Sequence, residues 1–269
     1  MGEWDAWIGR SESKEDCIDE GLASRWLATF DRTSPPGKVA PQGLHWCLAL
    51  PDAPTSMLGG DGHPRREGEF GSFLPPVPLP RRMWAGSSVE FLHPLQVGGT
   101  IVRHSAIRSV TEKSGASGHL VFVDVAHETL CEEVCAIREV QTIVYRDAAP
   151  PDAPLAPQPG SSDTAFDPAP WHEQRTITPS EALLFRYSAL TFNSHRIHYD
   201  LPYARDAERY RGLVVQGPLT ATLLLDLARR HLGDNQLAEF SFRGLSPAIC
   251  GERLHLVMRQ AEGIELAVT

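Results

Sequence analysis

Between Gly217 and Arg230 the chain reads GPLTATLLLDLARR. Leu219, Leu223, Leu224, Leu225 and Leu227, with Ala221 and Ala228 between them, leave no broad polar face before Arg229 and Arg230. A helix apolar on nearly every side is stable only inside a core, so the rest of the chain has to wrap around it. Pro218 suits its first turn, where the missing N–H would lack a partner in any case. Just upstream, Arg186 to Asp200 reads RYSALTFNSHRIHYD, with two histidines, an asparagine and several hydroxyls. A reactive polar segment is thus delivered to the N-terminus of a buried helix.

The 269 residues allow one large domain or two of ordinary size, with a sizeable core. No apolar run approaches the ~20 residues that span a bilayer. The start, MGEWDAWIGRSESKED, lacks a basic cluster and an apolar stretch, so a secretory signal is not expected and the chain reads as cytoplasmic. Five scattered cysteines, an odd number, argue against a disulfide framework. A formal charge of -9 disfavours a nucleic-acid surface and requires any anionic ligand to find a local basic patch.

Taken in order, DCIDEGLASRWLATFD (Asp16 to Asp31) spaces Leu22, Trp26, Leu27 and Phe30 as an amphipathic helix. Gly43 to Leu50 is a short apolar segment that helix and strand could both accommodate. Pro64 to Pro80 is a long irregular excursion anchored by Phe70, Phe73 and Leu74, and its PPVPLP run reads as a rigid internal loop. Arg81, Arg82 and Trp84 follow, two guanidinium groups beside an aromatic ring that could hold a carboxylate or phosphate. From Ser88 the pattern has period two: Thr100–Thr111 and His119–His127 flank a KSGASG turn, and Val134–Arg146 is a third strand. Residues 149–170 are a Pro/Ala-rich linker between an N-terminal part, 1–148, and a C-terminal part, 171–269. Beyond it Thr178, Pro179 and Glu181 suggest a capping box, and Ala238–Leu245 and Glu252–Arg259 read as strands, with the start of another at Ala261–Thr269.

The stretch RYSALTFNSHRIHYDLPYA, together with DGHPRREGEFGSFLPPVPLPRRMWAG (Asp61 to Gly86), resembles the MaoC-like hydratases and dehydratases, specifically the branch of mesaconyl-CoA and itaconyl-CoA hydratases related to the mitochondrial type 2 3-hydroxyacyl-thioester dehydratase. The resemblance implies an α+β double hot-dog, each half an antiparallel sheet wrapped around a helix, with Gly43–Leu50 as the helix of the first half. It implies a further strand after Thr269. It implies a hydro-lyase that adds water to a short branched dicarboxylic enoyl-CoA, with no cofactor beyond the coenzyme A of its acyl-CoA thioester substrate. A nucleic-acid or membrane partner is not expected, and monomer and homodimer both stay open.

Within that resemblance His198 is the acid and base, since an imidazole accepts and returns a proton near neutral pH. The partner five residues earlier, commonly an aspartate in relatives, is Asn193 here, which can orient water but cannot take its proton. Asp200 is the alternative carboxylate. Gly217, at the helix N-terminus, offers its N–H to the thioester oxygen. Arg81, Arg82, Arg186 and Arg196 are unranked candidates for a substrate carboxylate, and Trp84, Ser188, His195 and Gln216 complete the expected binding set. His195-x-x-His198 followed by Asp200 invites a metal, yet lacks the usual third-ligand spacing, so none is expected. Ser188 and Ser194 stand in no GxSxG elbow. Dehydration of a fatty 3-hydroxyacyl thioester, thioester hydrolysis and simple thioester binding are the competing readings.

Overall fold

A computed structural model describes residues 3–33, 37–65, 72–115, 118–158 and 166–269. Strand β1 (Ser11–Cys17) leads into helix α1 (Glu20–Thr29), whose first turn is capped by Asp19 accepting from Leu22 N–H at 2.7 Å. Trp26, Leu27 and Phe30 are buried as the helical spacing requires. Strands β2 (Arg81–Phe91), β3 (Thr100–Gly115), β4 (Gly118–Cys131) and β5 (Val134–Arg146) follow, then β6 (Glu173–Ile177), α2 (Glu181–Leu190), α3 (Leu201–Asp206), α4 (Gly217–Leu232), β7 (Glu239–Arg243), β8 (Leu254–Gln260) and β9 (Ile264–Val268). Among the described residues the strands form an antiparallel sheet in the order β1-β3-β4-β5-β2-β7 and a second, β6-β8-β9.

This is an α+β double hot-dog. The halves are not separate bodies: β7, from the C-terminal part, pairs with β2 of the N-terminal part, and one core joins α1, α2 and α4 to the inner faces of both sheets. Helix α4 is buried along nearly its whole length, from Leu219 to Ala228. Asp226 lies buried within that apolar stretch, where it accepts from Arg175 (2.9 Å), Arg229 (3.0 Å) and Arg230 (2.8 Å). Burial alone would raise its carboxyl, but the bonds from Arg230 and Arg229 outweigh burial and hold it below the usual range.

Several expectations need correction. Gly43–Leu50 is not the helix of the first half: it contains only a 3-10 turn, Leu44–Cys47, entered through Gly43 at φ +97°, and α1 takes the helix position. The cap of α2 is Ser180 rather than Thr178, accepting from Leu183 N–H at 3.3 Å, because Pro179 O is taken by Gly251 N–H. The strand expected from Ser88 begins earlier, at Arg81. The segment 149–158 is packed down rather than free: Ala156 exchanges backbone bonds with Arg209 and Arg211, and Arg209 binds Ala153 O. Val77 and Leu79 of PPVPLP are buried against Val121, Val123 and Val125, which makes the run an internal cover for the outer face of β4. Phe70, one of the anchors assigned from sequence, lies outside the described residues. No helix among the described residues is long and apolar enough to cross a membrane.

Candidate active site

The segment between α2 and α4 is held from both sides. Asn193 N–H bonds Ser188 O at 2.9 Å, closing the end of α2, and Asp200 caps α3 by accepting from Tyr203 N–H at 3.1 Å. A turn from the first half is stitched onto its outer edge: Ser194 Oγ donates to Gly62 O at 2.6 Å, Arg196 N–H to Asp61 O at 2.9 Å and Arg196 Nη1 to Gly60 O at 2.9 Å. Two distant stretches of the chain thus make one rigid wall.

His198 stands on this wall facing a cavity that also receives Asn193, His195, Trp84, Gln216 and Gly217. Its Nδ1 donates to Val214 O at 2.7 Å, which fixes the tautomer and leaves Nε2 as a lone-pair acceptor. Burial, reinforced by the charge on His195, depresses the imidazole to about 3 despite the bond to Val214. At neutral pH it is an uncharged base. Gly217 N–H opens α4 and has no acceptor among the described residues, so the positive end of a 16-residue helix is presented to the same cavity. Gly217 and His198 thus line the same extended cavity.

Asn193 holds its neighbour. Its Oδ1 accepts from His195 N–H at 2.9 Å, the local turn bond open to any asparagine, while Nδ2 has no partner among the described residues. Asp200 is spent on Arg196, which grips Oδ2 through Nε and Nη2 at 2.9 and 2.6 Å, and it does not line the cavity. The HxxH and Asp200 do not converge on a common point. Asp61, His63 and His195 do come together, each with a ligand-type atom within 4.8 Å of the others, but they are already bonded: His63 Nδ1 to Asp61 at 3.1 Å, His195 Nε2 to Glu208 at 3.1 Å.

The arginines separate cleanly. Alternation along β2 sends Arg81 and Arg82 to opposite faces, so they cannot act as one clamp. Arg81 is buried, with Nε on Glu208 at 3.1 Å and its guanidinium over Tyr210 at 4.9 Å. Arg196 is engaged by Asp200, Gly60 O and the Tyr203 ring and lies off the cavity. Arg186 is exposed and also off it. Arg82 is half-buried, lines the cavity and has no partner among the described residues. Its charge is the largest influence after burial that holds His63 down at about 3.

The model of a family described as hydroxyacyl-thioester dehydratase type 2 matches residues 43–250, which span the clamp turn, the histidine segment and α4. The chain belongs to this family. It is 45% identical over 250 residues to the mesaconyl-C(4)-CoA hydratase of Chloroflexus aurantiacus, covering 91% of this chain and 85% of that protein. It is 26% identical over 239 residues to the mitochondrial hydroxyacyl-thioester dehydratase type 2 of Schizosaccharomyces pombe, covering 81% and 77%. A solved Mycobacterium tuberculosis protein described as having a double hot-dog fold aligns with 97% of this chain and 88% of its own at a TM-score of 0.54 and 17% identity. Hydratase and dehydratase are one reaction in two directions, and the chain is an enzyme, a hydro-lyase of the type 2 family.

Against that family assignment, the other expected residues take supporting places. Gln216 is buried, with Nε2 bonded to Leu184 O (3.0 Å) and Ser188 Oγ (2.9 Å), so it ties the start of α4 to α2. Trp84 donates to Gly86 O and Ser87 Oγ and packs edge-on against Trp46. The sequence reading missed Glu208, Asp61, Gly62 and His63. The signal for the last three was already within the DGHPRR block; for Glu208, an acid ten residues beyond His198 in a run rich in arginine, only the fold reveals its partner.

Proposed function

We propose that this hydro-lyase adds water reversibly to the C=C of a short branched dicarboxylic enoyl-CoA, mesaconyl-C4-CoA or itaconyl-CoA, to give citramalyl-CoA. The observation that supports the reading is His198: a neutral imidazole with Nδ1 pinned on Val214 O and Nε2 left without a partner among the described residues, in a cavity lined by both His198 and Gly217. In the forward direction Nε2 takes a proton from water as the oxygen bonds C3. The π electrons move toward the thioester, and the charge arriving on its oxygen meets the N–H of Gly217 and the helix dipole behind it. Identity of 45% to a protein named for this substrate supports the choice among enoyl thioesters.

The substrate's free carboxylate needs a cation, and of Arg81, Arg82, Arg186 and Arg196 the reading favours Arg82, which lines the cavity, is half-buried and has no partner among the described residues. A cytoplasmic location belongs to this proposal, and a homodimer stands in it as an alternative to a monomer. Sedimentation of the purified chain distinguishes them, with a single-chain mass counting against the dimer.

A second reading keeps the chemistry and changes the substrate to a fatty 3-hydroxyacyl thioester dehydrated during chain elongation. The apolar lining contributed by Leu224, Phe240 and Phe242 favours it. Loss of the conjugated enoyl-thioester absorbance, measured with mesaconyl-C4-CoA, itaconyl-CoA, crotonyl-CoA and a long-chain enoyl-CoA, separates the two. Preference for the dicarboxylates supports the first; preference for the long chain moves the assignment to the second; thiol release without loss of the double bond contradicts both.

A further inference from the structure

Water addition needs two proton movements, one off the water and one onto C2, and Asn193, five residues before His198, can make neither. Its Oδ1 is occupied by His195 N–H and no proton can be stored on it. Asp200 is gripped by Arg196 outside the cavity. Resting on the hydratase reading, we propose that His195, seated on Glu208, is the second catalytic residue and delivers the proton to C2.

The geometry of the two imidazoles carries this. Their rings meet edge to face with centroids 5.5 Å apart, and both line the cavity. Each has one nitrogen fixed and the other unpartnered among the described residues. For His198 the fixed atom is Nδ1, on a carbonyl; for His195 it is Nε2, on Glu208 Oε1 at 3.1 Å. An ionised carboxylate accepts only, so His195 Nε2 must donate, and Nδ1 is the atom free to hold or release a proton. His195 is bonded to a carboxylate and keeps Nδ1 free, whereas His198 is bonded to a backbone carbonyl and keeps Nε2 free, so hydrogen bonding differentiates the two rings for the roles of acid and base.

Glu208 is itself prepared for this role. Its Oε2 accepts from Arg81 Nε at 3.1 Å, and Tyr203 Oη stands 3.5 Å from Oε1. His195, Glu208 and Arg81 are 5%, 6% and 7% exposed. A buried chain of three charged or polar groups ending on an imidazole is a costly arrangement for mere packing. On its other side His195 packs against the His63 ring in a tilted arrangement with centroids 4.1 Å apart, and Asp61 is bonded to His63. Glu208, Arg81, Asp61, His63 and His198 are therefore the titratable or charged groups around it.

Water oxygen bonds C3 and its proton passes to His198 Nε2. The π pair of C2=C3 shifts to form an enolate whose oxygen lies at Gly217 N–H, and the returning pair takes the proton from His195 Nδ1 to make the C2–H bond. His198 is left protonated and His195 neutral, and a proton passes between them through cavity water before the next turnover. Dehydration runs the same sequence backwards.

The test is steady-state hydration by the full chain as wild type, His195→Gln and Glu208→Gln across pH, with thermal unfolding measured on each. His195→Gln is expected to lower kcat by about 100-fold or more with KM within about threefold. Glu208→Gln keeps an acceptor for Nε2 and removes the charge, so its alkaline loss of rate is expected at lower pH than in wild type. A kcat within threefold of wild type for His195→Gln overturns the assignment, as does a Glu208→Gln profile superimposable on wild type; if one variant fails to fold, the other decides. A wild type inactive on every enoyl thioester overturns the hydratase reading, and this assignment with it, whereas an active wild type with undiminished variants overturns only the role of His195.

Discussion

A Cβ placed on Gly62 would lie 1.9 Å from the carbonyl oxygen of Ser194, closer than any real contact, and Gly62 sits at φ +87° where a side chain is strained in any case. The turn of the first half therefore touches the histidine segment backbone to backbone. Gly62→Ala is expected to push Ser194 and His195 out of place, costing about 1–3 kcal/mol of stability through overpacking and at least tenfold in kcat. Thermal unfolding and steady-state rates check both. A variant that matches wild type in each contradicts the clamp.

Gly217 makes the opposite prediction. A Cβ there meets only Trp84 O at 3.7 Å, an ordinary contact, and its φ is not in the left-handed region. Gly217→Ala is therefore expected to fold as stably as wild type, while the added methyl holds the thioester off the N–H. A tenfold or greater fall in kcat/KM at unchanged unfolding temperature is the expected result; full activity would remove Gly217 N–H from the oxyanion site.

Substitution of Arg82 is expected to separate the substrates. A charge-assisted bond to a carboxylate contributes about 1.5–3 kcal/mol. Arg82→Gln is expected to reduce kcat/KM for mesaconyl-C4-CoA by about 10- to 100-fold and to leave crotonyl-CoA, which has no second carboxylate, within about threefold. Equal losses on both would show a structural role.

Acid should weaken the fold. Burial holds His45, His63 and His198 at about 3 and His127 at about 4, against an ordinary value near 6.5. Their folded pKa values are depressed, so below pH 6.5 the unfolded chain takes up protons first and stability falls as pH drops toward 3. At pH 5 each of the first three costs roughly 2 kcal/mol. Glu139, whose buried carboxyl is raised, opposes this in part. The unfolding temperature is expected to drop steadily from pH 7 to pH 5, and a flat or rising curve contradicts the assignment of neutral buried histidines.

Much of this was legible in the sequence where one physical signal dominates. The all-round apolar pattern of Leu219–Ala228 marked the central helix, and period-two alternation around KSGASG marked the β3–β4 hairpin. Strand β1, SESKEDC, was not legible because it is an edge strand with no apolar face, defined by its pairing with β3. The helix of the first half was misplaced because Leu44, Trp46 and Cys47 are as buried as helix residues, and burial alone does not distinguish a 3-10 turn from an α-helix. Arg81 and Arg82 are adjacent in sequence and identical in kind; what separates them is that Glu208 folds onto one of them, a contact across 127 residues.

The central claim is that His198 Nε2 is the base for water. It is tested most directly by following mesaconyl-C4-CoA with wild type and His198→Gln, recording loss of enoyl-thioester absorbance and free thiol together. Rapid loss without thiol release in wild type, slowed at least a thousandfold in a variant that unfolds at the wild-type temperature, is the expected result. Undiminished hydration by the folded variant would contradict it.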